Sequence, residues 1–97
     1  MKRLLIALVL LACWPHSAKA HTVSLSWQAS ATPGCTYFIY RKAFVQKDFT
    51  RLNSKPVWAT AYTDATVVAG HSYEYYVKAE LNGIESAASS HVSVRIA

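Results

Sequence analysis

Residues 71–81 read HSYEYYVKAEL, and the fold follows from how that stretch alternates. Tyr73, Tyr75, Val77 and Ala79 fall on one side of an extended chain, and Glu74, Tyr76 and Lys78 on the other. A period of two with one apolar side is the pattern of a strand with a buried face and a wet face. The next two residues are Asn82-Gly83, a pair that takes the positive φ angles of a two-residue hairpin turn, so the chain should reverse there. After the turn Ile84 to Ser90 is rich in Ser and Ala and should be bulged. Val92, Val94 and Ile96 restore the alternation.

Working back towards the N-terminus, the same period recurs. His21 to Ala29 (HTVSLSWQA) alternates Val23, Leu25 and Trp27 against Ser24, Ser26 and Gln28. Pro33-Gly34 ends that segment in a turn. Thr36 to Ala43 (TYFIYRKA) sets Tyr37 and Ile39 against Phe38 and Tyr40. Short strands are expected at Phe49 to Leu52 and at Trp58 to Thr63, separated by the turn Asn53-Ser54-Lys55-Pro56. No segment of 21–97 has helical periodicity. Six or seven short strands with frequent turns in a single-domain length predict an all-β fold, an antiparallel β-sandwich of the immunoglobulin type.

The first twenty residues read differently. Met1-Lys2-Arg3 is basic, Leu4 to Trp14 is uncharged and apolar, and Ala18 and Ala20 are the small residues that a signal peptidase requires. The apolar run is shorter than the roughly 20 residues a bilayer-spanning helix needs. The expected organisation is a helical signal peptide over 1–20 and one domain over 21–97, exported to the periplasm or the medium. Leu10-Leu11-Ala12-Cys13 offers an alternative, a lipobox in which an acylated Cys13 would become the N-terminus of a membrane-anchored lipoprotein.

Of the 97 residues, ten are Lys or Arg and five are Asp or Glu, a formal charge of +5. Loss of Lys2, Arg3 and Lys19 with the leader leaves seven against five, or +2. No basic run tracks a phosphate backbone, which argues against nucleic acid as a partner. The exported part keeps one cysteine, Cys35, so no disulfide staples the domain. Its thiol is either a small buried apolar group or an exposed one able to join two chains. A domain of this size removes about 60–65% of its unfolded surface from water, which leaves modest stability.

The spaced segments VSLSW, YFIYR, FTRLN, AYTD and VVAGHSYEYYVKAELNGIESAASSHVSV together resemble a fibronectin type III domain of the bacterial kind, over about residues 22–96. The resemblance implies structural roles: Trp27 as the core tryptophan of the family's strand B, Tyr37 as the inward aromatic of strand C, and Val67-x-x-Gly70-x-x-Tyr73 as a tyrosine corner whose hydroxyl bonds back to the main chain. In one respect the sequence departs from the family. With the leader removed, nothing remains ahead of Val23 to form strand A. The Val23–Gln28 edge should then be open, and a partner could donate a strand to it.

Catalytic constellations are absent from the sequence: no GxSxG, no Gly-rich phosphate loop, no CxxC and no paired carboxylates. The expectation is a non-enzymatic interaction module without a cofactor, bound to protein or carbohydrate. Its candidate contact residues are Phe38, Tyr40, Tyr76 and Lys78 on the outer face of two neighbouring strands, because exposed aromatics give flat contact area at low entropic cost. A second reading uses His21. Cleavage before it frees an α-amino group beside an imidazole, and with His71 this pair could form a copper-binding histidine brace.

Overall fold

A computed structural model describes residues 11–15 and 21–97, with no helix among them. Eight strands are described: β1 (Leu11–Pro15), β2 (Val23–Trp27), β3 (Thr36–Ala43), β4 (Thr50–Arg51), β5 (Ala61–Asp64), β6 (Ser72–Leu81), β7 (Ile84–Glu85) and β8 (Val92–Arg95). One sheet has the order β1-β2-β5. The other runs β4-β3-β6, with β7 and β8 both along the far edge of β6. All pairings are antiparallel, and the long β3 and β6 align Thr36 with Glu80 through Ala43 with Tyr73.

Alternation in the sequence becomes the core between these sheets. Val23, Leu25 and Trp27 from β2 meet Tyr37 and Ile39 from β3 and Tyr73, Tyr75, Val77 and Ala79 from β6. Burying an aliphatic side chain of this size contributes about 1.5–3 kcal/mol, and Val23, Leu25, Ile39 and Val77 are wholly enclosed. At the β6–β7 hairpin Asn82 and Gly83 take φ of 53° and 81°, as a type I′ turn requires. Trp58 to Thr60 are not in the fifth strand, which begins only at Ala61, and Trp58 is 73% exposed.

Three side chains act as substitutes for backbone where ladders lapse. Between β7 and β8, the Ser86 and Ser89 hydroxyls accept from the Ala79 and Val77 amides, both at 2.9 Å. Beside β3, Asn53 Oδ1 accepts from Ile39 N (2.9 Å) while its Nδ2 donates to the Tyr37 carbonyl (3.0 Å). Buried amides that would otherwise lack partners are satisfied in this way.

At the N-terminal end the full chain adds a strand that the alternation did not announce. The expected helical leader falls mostly on residues 1–10 and 16–20, outside the described residues. Its described stretch, Leu11–Pro15, is a strand, paired along β2 with Leu11 opposite Trp27 and Pro15 opposite Val23. The place of the supposedly missing strand A is therefore occupied. An uncharged, regularly alternating edge such as β2 presents unpaired N–H and C=O groups, and the preceding segment of the same chain satisfies them.

Candidate functional site

The outer face of the β4-β3-β6 sheet carries the aromatic candidates. Because β3 and β6 pair Tyr40 with Tyr76, the two rings stand side by side, with centroids 5.0 Å apart and planes 22° from parallel. Tyr76 is stacked on its other side by His91, at 5.0 Å and 22°. Phe49 closes the row at 4.5 Å from Tyr76 and 5.4 Å from His91. Lys78 Nζ lies 5.4 Å from the Tyr40 centroid and 5.8 Å from that of Tyr76. Each such pair adds about 0.5–1.5 kcal/mol.

Charge is distributed around the row and largely balanced within it. The Tyr40 hydroxyl donates to Glu85 Oε1 at 2.8 Å, and that carboxylate also faces Lys78 at 4.0 Å and Arg51 at 3.9 Å. Glu74 holds His91 Nδ1 at 2.6 Å and Lys42 at 3.8 Å. Burial, followed by the hydrogen bond and charge of Glu85, pushes the Tyr40 phenol up to about 12. Burial and Glu85 also raise Tyr76.

Phe38 shares the strand face but not the accessible surface. It is only 7% exposed, and the Arg51 guanidinium covers its ring at 4.3 Å. Phe49 and His91, which the sequence reading left out of the patch, are part of it. Their signal was weak, since Phe49 precedes a two-residue strand and His91 lies just ahead of β8 in the interrupted edge.

The remaining candidates lie elsewhere. Trp27 and Tyr37 pack edge to face in the core at 5.5 Å, and the Tyr37 hydroxyl accepts from Ser30 N. Tyr73 Oη accepts from Val68 N at 3.0 Å beside Gly70, whose φ is 83°. Cys35 is buried with its thiol free. His21 is exposed, and the exposed His71 lays its ring nearly parallel to Tyr73, 6.3 Å away. Among the described residues no three His, Cys, Asp or Glu side chains are grouped to hold a metal ion.

One charged pair went unrecognised in the sequence. Buried Asp64 accepts from Arg41 Nη1 (2.8 Å), Tyr75 Oη (2.7 Å) and both the amide and hydroxyl of Thr66. It joins the two sheets and is structural.

No protein-family profile matches the chain. It is 34% identical over 77 residues to a poly(3-hydroxybutyrate) depolymerase of Delftia acidovorans; the match takes 78% of this chain and 14% of the depolymerase, so the chain spans about a seventh of that relative's length. Among solved structures, an Fn3-like protein from Clostridium thermocellum superposes with a TM-score of 0.76 at 27% identity, over 93% of this chain and 91% of that one. A structure of three successive titin domains gives 0.74 at 20%, over 91% of this chain and 30% of that one. The described domain is a fibronectin type III-like β-sandwich.

Proposed function

We propose that this chain is an exported, non-catalytic module that binds a protein partner through the outer face of β3 and β6. The observation that carries the reading is the orientation of the Tyr40–Tyr76–His91 row. Tyr76 is stacked between Tyr40 and His91, and Lys78 lies against the Tyr40 and Tyr76 rings. A sugar ring stacks on an open aromatic face, and those of the central Tyr76 are already met by Tyr40 and His91. A protein surface can use ring edges, hydroxyls and the surrounding Lys42, Arg51 and Lys78.

The state of the carboxylates supports a non-catalytic role. Asp64 is enclosed in the inter-sheet network, and Glu74 and Glu85 are each engaged by cations and by ring substituents on the same face. The match to a depolymerase covers one module's length of a much longer protein, a size suited to an accessory part that holds an enzyme or assembly near its target. Export follows from the basic, apolar and small-residue order of positions 1–20.

The test is capture from an extract of the source organism with the protein and with its Tyr40→Ser/Tyr76→Ser variant. Capture of a defined protein, lost in a variant that keeps its β-type circular dichroism, supports the reading. Sedimentation with an insoluble polysaccharide or with poly(3-hydroxybutyrate) that the same variant abolishes would replace it with a polymer-binding role.

A further inference from the structure

Leu11–Pro15 is assigned two incompatible places: strand β1 of the sandwich, and the apolar part of a leader that export removes. In the full chain it covers the whole of β2, residue for residue from Leu11 opposite Trp27 to Pro15 opposite Val23. Cleavage after Ala20 would take that strand away and leave the β2 edge with a row of unpaired backbone groups.

Nothing in β2 protects such an edge. Natural edges are blunted by charge, proline or a bulge, and residues 20–32 contain no Asp, Glu, Lys, Arg or Pro. The alternation through Val23, Leu25 and Trp27 is unbroken and fully inward. Trp27 Nε1, at the end of this strand, is a buried side-chain N–H without a partner among the described residues. The hydrogen bonding at this end is therefore not completed by its own neighbours.

We propose that the processed chain forms a symmetric dimer by antiparallel pairing of β2 with β2 of a second copy, the new strand standing where β1 stood. The inference rests on the export reading above. A two-fold axis at Leu25 sets Val23 opposite the partner's Trp27 and Ser24 opposite the partner's Ser26. Apolar positions then meet apolar positions on the inner side, and hydroxyls meet hydroxyls on the outer side. The absence of charge matters here, because a two-fold axis sets like residues close together and any charge in the strand would repel its own copy. The two sheets, each two-stranded once β1 is gone, would become one continuous four-stranded sheet, β5-β2 joined to β2-β5.

The experiment compares three forms of the protein made by an exporting cell: the natural sequence, Ser24→Lys/Ser26→Lys and Ser24→Glu/Ser26→Lys. Intact mass gives each N-terminus, and light scattering gives each particle mass. Ser24 and Ser26 are half-buried on the outer side, so both variants should fold. The expected result is a chain starting at His21 that is a dimer with the natural sequence. It should be a monomer with two lysines, where like charges oppose across the axis, and a dimer again with the glutamate–lysine pair, where opposite charges meet. An unprocessed chain, with Ala18→Arg and Ala20→Arg blocking cleavage, should be monomeric in every form.

A natural chain that keeps residues 11–15, or one that starts at His21 and stays monomeric, overturns the proposal. So does a processed monomer that takes up a strand only from a different protein. Retention of residues 11–15 would also end the export part of the proposed function, whereas a processed monomer leaves both export and capture through Tyr40 and Tyr76 standing, so the two failures are distinguishable.

Discussion

Arg41 on β3 donates to Asp64 on β5 at 2.8 Å, one charge from each sheet, with Asp64 only 2% exposed. Burial alone would raise the Asp64 carboxyl. The hydrogen bonds from Thr66, Tyr75 and Arg41 outweigh it and hold the group below its ordinary value of 3.8. Stability from this group is therefore present above about pH 4 and lost as pH falls through the depressed value. Asp64→Asn should cost about 2–3 kcal/mol near neutrality. It should also flatten the acid limb of the stability curve, as read by urea unfolding across the pH range.

A second titration belongs to Tyr40. With its phenol raised to about 12 by burial and Glu85, the sign is opposite to that of Asp64: the folded state favours the proton, and stability falls as pH climbs from 10 through about 12. Ultraviolet difference spectra of the protein and its Tyr40→Phe variant should differ by a phenol ionising at that upper value. Glu85→Gln should bring it down, because burial then acts against the lowering effect of Arg51 without the carboxylate's support.

The interrupted edge of β6 depends on two hydroxyls. Ser89→Ala would leave the buried Val77 amide without its acceptor, at a cost of about 1–3 kcal/mol. Ser86→Ala should do the same through Ala79. The exposed neighbour Ser90→Ala should change little, within about 0.5 kcal/mol. Denaturant midpoints of the three variants give the comparison.

At the turn before β6, Gly70 has φ 83° and open space where a side chain would point. Gly70→Ala therefore isolates backbone strain, about 1–2 kcal/mol. Tyr73→Phe removes the bond to Val68 N and should cost about 1 kcal/mol, with the core packing of the ring kept. Thermal unfolding would check both.

The sandwich was legible wherever a strand has one dry side. Val23–Trp27 and Tyr73–Ala79 declare themselves by period two, and Asn82-Gly83 marks its own turn. Less was visible where a residue's role is set by a partner distant in sequence. Nothing in the sequence pairs Arg41 with Asp64, which meet only when the two sheets stack. Phe38 looked like Tyr40, since alternation assigns a face and not the Arg51 that covers it. Phe49 and His91 join Tyr76 only through the register of short edge segments, and Ser86 and Ser89 replace ladder bonds that sequence cannot count. Leu11–Pro15 was the largest divergence: an uninterrupted apolar run has no period to betray a strand, and its basic lead-in and small-residue exit point to a leader.

The pairings of this sandwich join positions that are far apart along the chain: Val23 to Asp64, Tyr37 to Ala79, Ser72 to Arg95. Only β1–β2, β3–β4 and the β6–β7 reversal join near neighbours; the β2–β5 and β3–β6 pairings each close a loop of twenty residues or more, and the β6–β8 pairing steps over β7. Contacts of that kind make assembly slow. Closure of those long loops sets the pace, so this sandwich should refold more slowly than a helical domain of equal length, its two sheets joining last.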